Sequence, residues 1–82
     1  MEELKDTIDL MTSSDYKDRF KAEYYQVKIR AEKLDKMLDD YYDDKLVSLP
    51  VCPIDICKSI LTAQQNYIRE LERRAEIEGI EL

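Results

Sequence analysis

Basic side chains beside an aromatic residue are the groups in this sequence that are best suited to bind a ligand. Arg19, Arg30 and Lys33 lie at helical spacing along one stretch, and Tyr16 begins that row. Arginine and lysine donate charge-assisted hydrogen bonds to phosphates, and a tyrosine ring can stack on a flat base. These residue types therefore indicate a site for an anion that carries both phosphates and an aromatic ring.

The charge of this stretch differs from that of the rest of the chain. Residues 16–36 carry seven Lys or Arg against four Asp or Glu, whereas the remaining residues carry six against fifteen. The formal net charge of the whole chain is −6. We expect no binding to long DNA or RNA, because such binding needs many distributed cations. A small anion held in a pocket remains compatible with this balance.

A second pair of cations, Arg73 and Arg74, lies near the end of the chain. We expect Arg74 at the edge of an apolar seam, where an arginine can reach a ligand or a subunit interface. In an alternative interpretation, the cations only flank the apolar seams and pair with nearby acids. Arg19 and Glu23, four residues apart on a helix, would form such a pair.

Residues for most kinds of enzyme catalysis are missing. The chain has no His, which is the most frequent general base and metal ligand. It also has neither a glycine-rich phosphate loop nor a G-x-S-x-G turn. Cys52 and Cys57 straddle an expected helix start, which is poor geometry for a disulfide, and two thiols are too few for a zinc site. We therefore expect two buried free thiols, no metal, no cofactor and no enzyme activity.

An acidic segment gives an alternative function. Residues Asp39–Asp44 read DDYYDD, and a solvated helix end is their simplest interpretation. The same acids could oppose a basic groove, as in an acidic anti-CRISPR or DNA-mimic inhibitor of a host nuclease. A structural coiled-coil accessory protein with no ligand is a further alternative.

The chain also lacks the features of a membrane or exported protein. No apolar run approaches the roughly 20 residues that a membrane-spanning helix needs. The N-terminal residues MEELKDTIDL are acidic, unlike a signal peptide. We therefore expect a cytoplasmic protein with no membrane partner.

Three helices are expected to position these residues. One Gly and two Pro in 82 residues describe a single all-α domain, residues 1–82, with little loop. Apolar residues at helical spacing predict helices over about 2–11, 15–42 and 54–78. Pro53 suits the start of the third helix, and Gly79 suits its end.

Apolar seams on the two long helices predict how they pack. On the second helix, successive seam residues are three or four positions apart, with the two spacings alternating after the first, which is typical of packing against another helix. The seam comprises Tyr16, Phe20, Tyr24, Val27, Ala31, Leu34, Leu38 and Tyr41. We expect an antiparallel helical hairpin with the short N-terminal helix folded against it. Tyr25, Ile29 and Met37 lie off this seam, so we expect further subunits to cover them in a homo-oligomeric helical bundle.

Short motifs on these helices resemble those of a known family. They are RFKAE at Arg19–Glu23, KL at Lys33–Leu34, and LERRAEIEGI near the C-terminus. Together, over about residues 15–80, the chain resembles the phage anti-CBASS sponge proteins, which are small helical proteins. The resemblance implies a compact hexamer in the host bacterial cytoplasm. Such a protein inhibits bacterial immunity by sequestering cyclic oligonucleotide second messengers without cleaving them.

The resemblance also implies roles for single residues. Lys33 and an aromatic residue, for which Tyr16 is the nearest candidate, would bind a cyclic dinucleotide. Arg74, in LERRA, would bind a cyclic trinucleotide. Asp35 stands where the family has a small hydroxyl residue, and an acid there would repel phosphate, so a cyclic ADP-ribose-type signal is a further candidate. The complete set of candidate ligand-binding residues is Tyr16, Arg19, Arg30, Lys33, Arg73 and Arg74.

Overall fold

The computed structural model describes residues 1–82, which form helices and no strand. A 3-10 turn at Leu4–Thr7 leads into a short helix, α1, at Ile8–Met11. Two long helices follow, α2 at Tyr16–Tyr42 and α3 at Ile54–Glu78. The expected all-α class is therefore confirmed. None of the helices is both long and apolar enough to cross a membrane.

The two long helices form an antiparallel hairpin around a seam of buried side chains. Its largest buried cluster lies where α2 begins and α3 ends, and half-buried Tyr25, Val27 and Ile68 pack around it. The cluster comprises Phe20, Tyr24, Leu71, Ala75 and Ile80. Burying a large apolar side chain stabilises a fold by about 1.5–3 kcal/mol. This cluster therefore fixes the end of the hairpin that carries Tyr16 and Arg74.

Local signals fix both helix ends at this cluster. Asp15 caps α2, because its Oδ1 accepts a hydrogen bond from the Lys17 backbone N–H at 3.0 Å. Gly79 ends α3 in the left-handed region, with φ of 68°. The chain then turns back, so that the Ile80 N–H donates to the Ala75 carbonyl at 2.8 Å. Ile80 thereby enters the core and closes it at the C-terminal end of α3.

The N-terminal segment, residues 4–11, covers a second face of α2. Ala22 and Ile29 are only 1% and 3% exposed, although they lie on the face of α2 opposite the hairpin seam. Between them, Gln26 Nε2 donates to Thr7 Oγ1 at 2.9 Å. The expectation that other subunits cover Ile29 is therefore wrong, because the same chain covers it. The expected helix over 2–11 is also shorter, since its first turn has 3-10 geometry.

The two cysteines have different environments. Cys57 is buried in the first turn of α3, as expected, because it faces α2. Cys52 is exposed, so the expectation of a buried thiol is wrong there; this residue precedes the helix and lies in the connection. The two positions flank the helix start at the spacing of a hydrophobic staple, which brings their side chains together. Desolvation and a hydrogen bond with Cys57 raise the pKa of the Cys52 thiol.

Candidate functional site

Three of the predicted ligand-binding residues meet in one cleft. Tyr16 and Arg19 of α2 and Arg74 of α3 line it, together with Phe20 and Glu23, and its volume is about 220 Å³. We call it the Arg74 cleft. It forms because the antiparallel packing sets the first turns of α2 beside the last turns of α3. Residues 55 positions apart in the chain therefore share one wall.

Arg74 is held above an aromatic ring. Its guanidinium carbon lies 4.8 Å from the centroid of the Phe20 ring, which is the range of a cation–π contact. Its Nε donates to a carboxylate oxygen of Glu78, one turn further along α3. This hydrogen bond is the main reason why the pKa of Arg74 is raised above its ordinary value. Arg74 is thus a fixed positive charge at the cleft.

Arg19 is held by the turn that precedes α2. Its Nη1 donates to the Ser13 carbonyl at 2.8 Å. Ser13 is itself fixed, because its hydroxyl donates to Asp18 Oδ2 at 2.8 Å. The expected ion pair between Arg19 and Glu23 does not form. A backbone carbonyl at a fixed turn holds Arg19 in place of the flexible carboxylate of Glu23.

Arg30 and Lys33 lie outside the Arg74 cleft. Both are exposed on α2, and neither takes part in an ion pair. Lys33 is seventeen residues beyond Tyr16, which is about 25 Å along a helix axis. Within one chain, therefore, the structure does not bring Tyr16 and Lys33 to one ligand.

Arg73 points away from the cleft. It pairs with Glu70 on the exposed side of α3, with 3.0 Å between Arg73 Nη1 and Glu70 Oε1. Each residue turns a helix by about 100°, so Arg73 lies roughly opposite the buried Leu71. Arg73 and Arg74 are neighbours in sequence, yet only Arg74 reaches the cleft.

Two further clefts lack this concentration of cations. The larger, about 460 Å³, lies at the other end of the hairpin and is lined by Tyr41, Tyr42, Asp44, Leu46 and Leu49. The smaller, about 170 Å³, lies midway along the hairpin and is lined by Lys28, Ala31, Glu32, Asp35, Leu61, Gln65 and Ile68. Asp35 therefore lies outside the Arg74 cleft. Its carboxylate does not oppose a phosphate bound there. The Arg74 cleft has the most positive lining of the three.

Sequence reasoning missed two lining residues of the Arg74 cleft. The seam pattern predicts that Phe20 is buried, and it is, but the face of its ring also supports Arg74. For Glu23, the sequence indicates only an ion-pair partner of Arg19. The signal that could have identified it is its spacing of seven residues from Tyr16, which places both on one side of α2.

The lining of the cleft is chemically suited to an anion. Two guanidinium groups outweigh the one carboxylate, and the Tyr16 side chain is 49% exposed, which leaves its ring open to a ligand. A volume of about 220 Å³ lies below the roughly 300–1,000 Å³ of typical small-molecule pockets. In one chain, the cleft therefore has room for part of a dinucleotide.

Comparison with known proteins identifies the family of the chain. No curated protein and no solved structure matches it. The family model described as Sequestin matches residues 14–77, which include Tyr16, Arg19, Arg74 and nearly all of the hairpin. The N-terminal segment lies outside the match. The family's name fits the sequestering sponge proteins that the sequence motifs resemble. The chain belongs to the Sequestin family.

Proposed function

We propose that this protein is a phage-encoded inhibitor of bacterial immunity that binds and sequesters a cyclic nucleotide second messenger without cleaving it. The observation that carries the proposal is the meeting of Tyr16, Arg19 and Arg74 in one cleft. The family match supports the sequestering role, since sequestration is what the name Sequestin denotes. The protein acts in the host bacterial cytoplasm, where such signals are made.

Different residues of the cleft bind different parts of the ligand. Arg19 and Arg74 donate hydrogen bonds to a phosphate, and the Tyr16 ring stacks on a base. Neither arginine has to be recruited from a distance, because Ser13 and Glu78 already hold their side chains at the cleft. A site that is ordered before binding loses less conformational entropy when the ligand arrives, which favours tight retention.

A homo-oligomer, which we take to be a hexamer, completes the site. Ile56, Ile60 and Tyr67 are each about half exposed, and their spacings of four and seven place them on the edge of α3 that leads to Arg74. A neighbouring chain would cover the apolar edge.

In such an assembly, the exposed cations of one chain serve the cleft of the next. Arg30 and Lys33 are free of ion pairs in a single chain. Placed beside Tyr16 of a neighbouring subunit, they would add positive charge to a pocket large enough for a cyclic di- or trinucleotide or a cyclic ADP-ribose-type signal. Arg73 is not part of this proposed site, because Glu70 holds it on the opposite side of α3.

The test is a thermal-shift screen against cyclic di- and trinucleotides and cyclic ADP-ribose isomers. A ligand present at about 100 times its dissociation constant stabilises the native state by roughly 2.7 kcal/mol, which is easily measured in a small domain. We expect one compound to raise the melting temperature and to be recovered intact, by mass spectrometry, after heat denaturation. A ligand recovered in cleaved form, or no shift with any compound, would refute the proposal.

Substitutions in the acidic segment distinguish this function from inhibition of a nuclease. Changing Asp39, Asp40, Asp43 and Asp44 to Asn should leave nucleotide binding intact, since these residues lie at the far end of the hairpin from the Arg74 cleft. In a DNA-mimic inhibitor, the same substitutions would abolish activity. Loss of nucleotide binding in this variant would place the site elsewhere.

A further inference from the structure

The carboxylate of Glu23 is an unexpected group in a cleft that attracts anions. Glu23 is exposed and lines the Arg74 cleft, yet it forms no ion pair. The two arginines of the cleft are held by other groups, Arg19 by the Ser13 carbonyl and Arg74 by Glu78. Both oxygens of Glu23 therefore remain available to a ligand.

The chemistry of a carboxylate restricts what can lie beside it. An ionised carboxylate only accepts hydrogen bonds, and it repels phosphate. A ligand is stabilised at Glu23 only where it presents hydrogen-bond donors, and two adjacent donors would engage both oxygens. Among nucleobase edges, guanine provides such a pair, N1–H and the 2-amino group. Adenine presents an acceptor, N1, beside a single amino donor.

The length of the cleft lets one ligand extend from Tyr16 to Glu23, while its volume in a single chain encloses only part of a dinucleotide. Glu23 is seven residues after Tyr16, about 10 Å along the helix axis and on the same side of α2. Arg19 lies between these two residues on α2, and Arg74 lies over the ring of Phe20, the next residue. A ligand lying along it would place one ring on Tyr16, a phosphate between Arg19 and Arg74, and the edge of its second base at Glu23.

We propose that Glu23 selects ligands that carry guanine, by accepting hydrogen bonds from N1–H and the 2-amino group. This inference rests on the proposed function, because it requires a nucleotide in the Arg74 cleft. Hydrogen bonds to a charged group are about twice as strong as those between neutral groups. When an adenine edge covers the carboxylate, water is displaced but at most one donor replaces it. The adenine N1 acceptor then faces the negative charge.

The test compares dissociation constants, measured by calorimetry on the full chain, for cyclic di-GMP, cyclic di-IMP and cyclic di-AMP. We expect cyclic di-GMP to bind at least tenfold more tightly than cyclic di-AMP. Cyclic di-IMP keeps N1–H but lacks the 2-amino group, so it should lie between them. In Glu23→Gln, the amide presents one acceptor and one donor to the base edge, and the ratio should fall to within about threefold.

Glu32→Gln is the matched control, because it removes the same charge from α2 but lines a different cleft. It should keep the wild-type ratio. Equal binding of the three ligands, or an unchanged ratio in Glu23→Gln, would overturn the inference and leave the proposed function standing. If the 2′-deoxy form of each ligand bound more weakly to the wild type, irrespective of base, but not to Glu23→Gln, Glu23 would be assigned to a ribose and the inference would also be overturned. If no nucleotide bound, both the proposed function and this inference would be refuted.

Discussion

The guanidinium carbon of Arg74 lies 4.8 Å from the centroid of the Phe20 ring. This contact joins a cation near the end of α3 to a buried ring in the first turns of α2. It also sets Arg74 beside Arg19 and Tyr16, which lie more than fifty residues earlier in the chain. Two charged stretches that are separate in sequence thereby line one cleft, in which two arginines outnumber one carboxylate.

A hydrogen bond between the long helices should make the free energy of unfolding decrease at alkaline pH. The Tyr24 hydroxyl donates to Glu72 Oε2 at 2.7 Å. Burial and this bond raise the pKa of Tyr24 above its usual 10.0, so the unfolded chain loses the phenolic proton first. We expect the stabilisation to be complete below pH 10 and to decline as pH rises further. Denaturant unfolding of wild type and Tyr24→Phe measures the effect.

Tyr24→Phe should cost about 1 kcal/mol of unfolding free energy at neutral pH, through the lost hydrogen bond. It should also lose less stability than wild type between about pH 9 and pH 11, because it has no phenol to ionise at that position. Equal alkaline losses in the two proteins would show that Tyr24 ionises as readily in the folded chain as in the unfolded chain.

The N-terminal segment should contribute to stability through one buried hydroxyl. Thr7 is 1% exposed; its Oγ1 donates to the Leu4 carbonyl at 2.7 Å and accepts from Gln26 at 2.9 Å. We expect Thr7→Val to lower the free energy of unfolding by about 1–2 kcal/mol. Thr12→Val removes an exposed hydroxyl bond to Ile8 and should change stability by less than about 0.5 kcal/mol. Urea unfolding that gives equal values for the two variants would contradict this assignment.

The two thiols should react at very different rates. Cys52 is exposed and Cys57 is buried, so iodoacetamide should modify one thiol per native chain and both after denaturation. Because the pKa of Cys52 is raised, its reaction should continue to accelerate at pH values above the usual thiol range. Mass spectrometry of the alkylated chain gives both rates, and Cys52→Ser should show almost no native modification. Similar rates for the two thiols would contradict the burial of Cys57.

Much of the hairpin was predictable from spacing. Phe20, Tyr24, Ala31 and Leu38 repeat at heptad positions and are buried, as that pattern predicts. Tyr16 continues the same seam but is 49% exposed, because it lies level with the end of α3, where little remains to pack against it. Spacing gives the direction in which a side chain points; it does not give the length of the partner helix.

The remaining features depend on contacts that spacing does not contain. Ile29 lies off the seam, and nothing in its periodicity tells whether a neighbouring subunit or the N-terminal segment covers it. Arg73 and Arg74 are adjacent in sequence, which suggests one shared site. The helix turns by about 100° per residue, so their side chains point in different directions. The proximity of Arg74 to Tyr16 follows from the alignment of α2 with α3, which is set by core packing rather than by either helix alone.

The most direct test compares the affinity of Arg74→Ala and Arg73→Ala for the ligand that stabilises the wild type. Both variants remove one exposed arginine from α3, and circular dichroism should show the same helix content in each. We expect Arg74→Ala to weaken binding at least tenfold, through loss of a charge-assisted hydrogen bond to phosphate. Arg73→Ala should stay within about threefold of wild type. Equal losses in the two variants, or full binding by Arg74→Ala, would contradict the assignment of the Arg74 cleft as the ligand site.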